Sequence, residues 1–191
     1  MYDKSIGKLV FARESLPAFE GTPGSKIVTG IKTFAKDEKN NIIYLATFGA
    51  KILAFHPQKS GIGKVEDLGG LLPDGYVEQP WKPVTSNLNV GENGKLYYVI
   101  GGHGNFAKNG KTLFMEFDPQ KLEYRFLFEF PTSEVAEVTG SSIKDKEGNL
   151  YFAARKDILR RKGGVSAEGQ TSELSSSPFM IKFNPDKEVK R

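Results

Sequence analysis

The sequence predicts an all-β protein in which one four-stranded antiparallel unit occurs three times. The chain of 191 residues carries Val-Thr-Gly or Val-Thr-Ser at Val28, Val84 and Val138, which are 56 and 54 residues apart. Each copy then passes through a polar turn into a short run rich in β-branched and aromatic residues. Each copy also ends an aromatic strand at a proline. A repeat of this length indicates that the chain is built from successive supersecondary units.

The first and second strands of each copy flank a tight turn. These turns lie at residues 37–41, 92–94 and 145–149. Asn and Gly in them supply the positive φ that short hairpin turns need. The apolar runs that follow predict second strands at residues 43–46, 96–99 and 150–153.

The third strand of each copy ends before a proline, which cannot donate a hydrogen bond to a strand ladder. The residues before these prolines are His56, Asp118 and Asn184, where a side-chain acceptor can cap the amides of the turn. Alternating runs predict fourth strands at residues 64–68 and 122–128. Four antiparallel strands per copy, with the copies stacked side by side, describe the blades of a β-propeller.

The repeat assigns residues 1–191 to one partial β-propeller. We letter the four strands of each copy A to D. Residues 1–24 are predicted to be strand D of a preceding blade plus a linker, because they resemble the segment that follows Phe55. Blade 1 covers 25–73, blade 2 covers 74–131, and blade 3 covers 132–191 without a strand D of its own. The N-terminal strand D and the last three strands are expected to complete one blade between them.

About three blades are fewer than the four to eight that close a propeller. The sequence therefore favours a part of a larger propeller whose other blades are missing from this chain. Association with a second copy of the same chain is the alternative. An open strand edge invites aggregation, which favours the first interpretation.

Composition excludes some classes of function. The net charge of +4 comes from 27 basic and 23 acidic residues mixed along the chain, so nucleic-acid binding is not favoured. No apolar run approaches the roughly 20 residues of a spanning helix, so no membrane partner is predicted. No signal peptide is visible at the N-terminus, and the compartment stays undetermined. The lack of cysteine excludes disulfides and thiolate metal sites.

The pattern of Val-Thr-Gly, a turn with Gly-Asn, Leu-Tyr-Phe-Ala and Phe-Asn-Pro resembles propellers of the gluconolactonase-like, virginiamycin-lyase-like and NHL-repeat group. The resemblance covers about residues 25–191 and implies a small-molecule ligand, such as a carbohydrate or lactone, at the rim. It implies lactonase- or lyase-like activity in the intact ring, with a non-catalytic protein-interaction scaffold as the alternative. Gluconolactonase-like proteins bind a divalent metal through inner-strand side chains, which implies Asn87 as the candidate metal ligand here.

The loops of one rim, which join strands B to C and D to A, supply the remaining candidates. His103 lies between glycines and is the candidate catalytic base, with an exposed turn residue as the plainer interpretation. Tyr76 and Trp81 are predicted either to stack on a flat ligand or to pack against a neighbouring blade. Residues 155–178 are predicted to form a long loop, for binding or simply disordered. The other candidate ligand-binding residues are Asn105, Arg155, Lys156 and Arg160.

Overall fold

The computed structural model describes residues 2–3, 8–9, 30–47, 50–61, 63–74, 85–100, 111–131, 134–160 and 173–187. Within these ranges the chain forms thirteen β-strands and a short 3-10 helix at Pro185–Lys187. Every pairing between these strands is antiparallel. In this part of the chain no helix is long and apolar enough to cross a bilayer.

The first sheet contains four strands in sequence order. They are β3 (Ile31–Asp37), β4 (Ile42–Thr47), β5 (Lys51–His56) and β6 (Lys64–Gly70). The β3–β4 turn is tight because Asp37 accepts hydrogen bonds from the backbone and side-chain amides of Asn40 and because Asn41 adopts a φ of 53°. Asn tolerates this left-handed conformation better than most residues.

The second sheet also contains four strands, and the third contains three. The second sheet comprises β7 (Asn89–Val90), β8 (Leu96–Ile100), β9 (Lys111–Asp118) and β10 (Glu123–Pro131). The third comprises β11 (Glu137–Lys144), β12 (Leu150–Arg160) and β13 (Glu173–Phe183). The predictions of an all-β chain and of four-stranded antiparallel sheets are therefore confirmed.

Two local predictions differ from the structure. Residues 155–178 do not form one long loop, because β12 continues to Arg160 and pairs with β13 as far as Glu173. Asp118 and Asn184 cap the turns after their strands as expected. His56 differs: its Nε2 lies 3.2 Å from Oε2 of Glu66 on β6.

Two apolar clusters hold the three sheets together. The first joins one face of the first sheet, including Ala46 and Ile52, to one face of the second sheet, including Tyr98 and Met115. The second joins the opposite face of the second sheet to the third sheet. Its aromatic centre is Phe114, whose ring makes edge contacts with Phe152 and Phe183 at centroid distances of 5.1 and 5.0 Å. Side chains alternate between the two faces of the second sheet, so both faces are buried at β8 and β9, whereas β10 is largely exposed.

The first strands of the three sheets contact each other. β3 contacts β7, β7 contacts β11, and β11 contacts β3. Just before β7, Ser86 forms a parallel bridge with Thr139 of β11. Buried amide side chains add to this junction: Asn89 accepts a hydrogen bond from the backbone of Ile143 at 3.0 Å. The three sheets therefore meet at their first strands, and their outer strands lie away from this junction.

The N-terminal segment contains a separate hairpin. β1 (Tyr2–Asp3) pairs with β2 (Lys8–Leu9), and Asp3 lies opposite Lys8. The second sheet has the same spacing between its third and fourth strands, where Asp118 lies opposite Glu123. This hairpin shares the register of the turn that joins the last two strands of the second sheet, whereas in the first sheet His56 lies opposite Lys64.

Candidate functional site

A cleft with a volume of about 460 Å³ lies where turns of the first two sheets meet the end of β11. We call it the turn cleft, and it is lined by residues 36–40, residues 90–94, Gln120 and Lys144. β3, β7 and β11 all end at this cleft. Ligand clefts in proteins usually have volumes of roughly 300–1,000 Å³, so a small molecule fits.

The turn chemistry of the sequence shapes this cleft. Gly94 adopts a φ of +76°, which lets the β7–β8 turn close without strain. Gly91 lies so close to Asn93 and Tyr97 that a Cβ at this position would clash with both side chains. The Asn93 side chain accepts from the backbone of Lys95 and donates to the Tyr97 hydroxyl at 2.9 Å. This turn is therefore held in one conformation at the wall of the cleft.

The positive and negative charges that line the turn cleft are equal in number, because three lysines and three acidic residues line it. Lys36 pairs with Glu38 at 2.7 Å and Lys144 pairs with Glu92 at 2.6 Å, and all four side chains are at least one-third exposed. Such exposed pairs contribute roughly 0–1 kcal/mol each. They can therefore exchange for contacts with a ligand at little cost.

A second cavity of about 260 Å³ shares Asp37, Asn40 and Gln120 with the turn cleft. Tyr44, His56 and Glu66 also line it. Burial raises the pKa of the Tyr44 hydroxyl, and the negative charges of Asp37, Glu66 and Asp118 raise it further. Tyr44 is therefore a neutral hydroxyl at neutral pH. Tyr44 is 4% exposed and belongs to the first apolar cluster, so its ring is held in the core beside this second cavity.

The second sheet holds a buried carboxylate outside the cleft. The Glu116 side chain is 5% exposed and accepts hydrogen bonds from Lys95 Nζ at 2.7 Å, the Tyr97 hydroxyl at 2.9 Å and Arg125 Nη2 at 2.8 Å. Burial raises the pKa of Glu116, but the hydrogen bonds from Arg125, Lys95 and Tyr97 lower it more. The net pKa lies below its ordinary value, so Glu116 is a paired structural anion at neutral pH.

The third sheet has a comparable anion in an exposed turn. Asp145 accepts hydrogen bonds from the Tyr151 hydroxyl, the Asn149 side chain and two backbone amides. Desolvation raises the pKa of Asp145, whereas these hydrogen bonds lower it well below its usual range. Asp145 therefore fixes the β11–β12 turn next to Lys144, which lines the cleft.

Asn87, the candidate metal ligand, is buried between the second and third sheets. Its Oδ1 accepts from the backbone of Val99 at 2.8 Å, and its Nδ2 donates to the carbonyls of Val99 and Val138 at 3.2 and 3.1 Å. These bonds give Asn87 a role in joining the two sheets. Among the residues described, no group of three or more histidine or carboxylate side chains could hold a metal ion. The divalent metal remains a prediction.

The other predicted site residues lie partly within and partly outside the described residues. Tyr76, Trp81, His103 and Asn105 lie outside the described residues. Arg155 lies on β12, with its Nε 3.0 Å from Oε2 of Glu137, and the exposed Lys156 lies opposite Ser177. Arg160 lies at the end of β12, opposite Glu173. The last three residues share a strand, but none of them lines the turn cleft.

Sequence reasoning missed the residues of the turn cleft. Asn40 stood out only as part of a polar turn and Gln120 only as a residue after a proline, whereas Lys36 and Lys144 lie just before the predicted turns and did not stand out. One signal was present, because Lys36-Asp37 and Lys144-Asp145 occupy the same position in the first and third copies. The cleft lies at the turns between first and second strands, whereas the sequence favoured the loops of the other rim.

A search of protein-family models finds no match to this sequence, and a search of curated proteins finds none either.

Proposed function

We propose that the three sheets are successive blades of a β-propeller-type domain that binds a neutral polar small molecule, such as a carbohydrate or lactone, in the turn cleft. The observation that carries this proposal is the convergence of β3, β7 and β11 on one cleft of about 460 Å³. Ligands commonly bind at the ends of strands that several structural units bring together.

The mutual contacts of the first strands support the blade arrangement. Each of the first two sheets pairs its strands in sequence order, and each of the two cores lies between consecutive sheets. The parallel bridge between Ser86 and Thr139 gives neighbouring first strands the same direction. Successive blades around an axis have these features.

The polar lining supports a neutral, hydrogen-bonding ligand. Positive and negative side chains balance, and both ion pairs are exposed enough to exchange. Gln120 is exposed at the wall of the cleft, where its backbone amide donates to Asp118 Oδ1, and its side chain has no hydrogen bond to another residue within the described ranges.

Lactonase- or lyase-like activity remains a separate part of the proposal: His103, its general base, belongs to the connection between β8 and β9 and therefore to the rim opposite the turn cleft, so it would act at a second site. The alternative, a non-catalytic interaction scaffold, is favoured by one observation: Phe34 and Ile31 on β3 are 61% and 47% exposed. Exposed apolar residues of this size mark interaction surfaces when they form a patch.

Ligand-observed NMR with a panel of monosaccharides and aldonolactones tests the binding proposal. For a ligand that binds the wild-type protein, Gln120→Ala should weaken affinity about threefold to tenfold, the value of one hydrogen bond. The matched control is Lys121→Ala, because Lys121 is exposed on the same turn but does not line the cleft. The proposal would be overturned if none of the panel members bound saturably. It would also be overturned if Gln120→Ala and the wild-type protein bound a ligand with equal affinity.

Lactone hydrolysis, followed by acid release, tests the catalytic part separately. His103→Ala should lower the rate without weakening ligand affinity by more than about twofold. An unchanged rate in this variant would exclude His103 as the base.

A further inference from the structure

The second cavity, of about 260 Å³, lies between one face of the first sheet and two turns of the second sheet. On the first sheet, Tyr44 lies opposite Ala54 and Ala54 lies opposite Glu66, so these residues form one row across β4, β5 and β6. His56 follows Ala54 by two positions on β5 and therefore lies on the same face. The β7–β8 and β9–β10 turns line the other side of the cavity.

The hydroxyl of Tyr44 is an unused hydrogen-bond donor at this cavity. Tyr44 is 4% exposed, and its hydroxyl has no hydrogen bond to another residue within the described ranges. The buried Tyr98, in contrast, donates to the carbonyl of Leu71 at 2.6 Å. Leaving a buried hydroxyl without a partner costs roughly 1–3 kcal/mol, so a ligand that accepts from Tyr44 recovers this loss.

The charges around Tyr44 keep its hydroxyl able to donate. Burial raises the pKa of Tyr44, and the negative charges of Asp37 and Glu66 raise it further. Both carboxylates line the same cavity as Tyr44. The hydroxyl therefore retains its proton on the side of the residue where these charges act.

His56 and Glu66 add a second pair of polar groups to the same wall. His56 Nε2 lies 3.2 Å from Glu66 Oε2, and the two side chains are 38% and 52% exposed. Within the described ranges, the other carboxylate oxygen of Glu66 has no hydrogen bond to the protein. A carboxylate accepts from hydroxyls, and an imidazole can donate or accept. Neighbouring hydroxyls on a sugar ring match this combination of donors and acceptors.

The second cavity is continuous with the turn cleft. Asp37, Asn40, Gly94 and Gln120 line both. By itself the second cavity is smaller than the roughly 300–1,000 Å³ of most ligand sites, whereas the turn cleft falls within that range. The smaller cavity is therefore an extension of the larger one, and the side chain of Gln120 lies at the border between them.

We propose that the second cavity is a subsite of the turn cleft for a second sugar ring, so that the preferred ligand is a neutral disaccharide with one ring in each cavity. Tyr44, His56 and Glu66 bind the hydroxyls of this second ring. The inference rests on the ligand binding proposed above, and it adds the size of the ligand and the residues that select it.

Isothermal titration calorimetry with glucose, galactose, maltose, cellobiose and lactose tests the subsite. At least one disaccharide should bind about tenfold more tightly than the monosaccharides that compose it. Tyr44→Phe should weaken the affinity for this disaccharide about threefold to tenfold, the value of one hydrogen bond, and should leave monosaccharide affinity unchanged. Glu66→Gln should weaken the affinity for the disaccharide about tenfold, because it removes a charged acceptor.

Two control variants separate the subsite from general effects on the fold. Tyr98→Phe removes a buried hydroxyl from the same apolar cluster, but Tyr98 lines neither cavity. Asp67→Asn neutralises a carboxylate on β6 that lies on the opposite face from Glu66. Both controls should bind the disaccharide with wild-type affinity.

Each outcome of the titrations separates the subsite from the binding proposal. Monosaccharide binding that no disaccharide exceeds would overturn the subsite and leave binding in the turn cleft intact. Wild-type affinity of Tyr44→Phe and Glu66→Gln for the disaccharide would do the same. Equal weakening of monosaccharide and disaccharide by Tyr44→Phe would make the second cavity an independent site and contradict the inference. If no sugar of either size bound, the proposed function itself would be wrong.

Discussion

The buried carboxylate of Glu116 gives a sharp test of how the second sheet is held together. Glu116→Gln removes the negative charge but keeps the size of the side chain and one acceptor oxygen. In the wild-type protein the carboxylate is the common partner of Lys95, Tyr97 and Arg125. The substitution therefore removes two ion pairs and leaves packing nearly unchanged.

The expected loss follows from the exposure of the partners. Removing one member of a buried ion pair typically costs about 3–5 kcal/mol. Here the Lys95 and Arg125 side chains are 34% and 51% exposed, so water can solvate both after the change. We therefore expect the free energy of unfolding to fall by about 2–3 kcal/mol at pH 7, a value below the fully buried range.

The pH dependence of this effect has a defined sign. The folded-state pKa of Glu116 lies below its ordinary value of 4.5. The stabilisation is therefore fully present above pH 4.5 and is lost as the pH falls through the folded-state pKa. The difference in stability between wild type and Glu116→Gln should shrink in acid.

Urea denaturation at pH 7 and at intervals down to pH 3 measures both effects. The control is Glu123→Gln, because Glu123 is exposed on β10 and should change stability by less than about 0.5 kcal/mol. A Glu116→Gln protein within 0.5 kcal/mol of wild type at pH 7, measured with an unchanged denaturant slope, would refute this account of the network.

Two further predictions concern the third sheet. Asn87→Ala leaves the Val99 amide and the Val138 carbonyl buried without their partner, so urea denaturation should show a loss of about 2–4 kcal/mol. Calcium, magnesium, manganese or zinc should leave the melting temperature of this variant unchanged, and a metal-dependent rise in wild type alone would instead make Asn87 a ligand. Asp145→Asn should lower the melting temperature at pH 7, because the low pKa of Asp145 stabilises the fold above pH 3.8, and this difference should shrink as the pH falls from 3.8 toward the folded-state pKa. A difference as large at pH 2 as at pH 7 would contradict the assignment to the carboxylate charge.

Much of the fold was readable from the sequence because turn residues and strand residues alternate clearly. The pairs of Asn and Gly at the tight turns and the proline after each third strand define most strand ends. The extension of β12 and β13 was not readable. Arg155, Lys156 and the serines after Leu174 have weak strand propensity, and they form strands because they pair with each other.

The candidate site was much less predictable than the fold. Lys36 and Lys144 are 108 positions apart, and only the meeting of the first and third sheets places both at one cleft. Glu116 was similarly hidden, since its partners Lys95 and Arg125 are set by the registers of two strand pairs. The sequence pattern predicts many of the residues that lie on strands, but it does not predict which turns of different sheets come together.

The middle sheet contributes to both apolar clusters, and each outer sheet contributes to one. The free energy of folding is therefore divided into terms between neighbours along the chain, as in repeat proteins. During evolution, a gene with this arrangement can gain or lose a terminal unit by duplication or deletion while the remaining pairwise interfaces keep their sequence requirements.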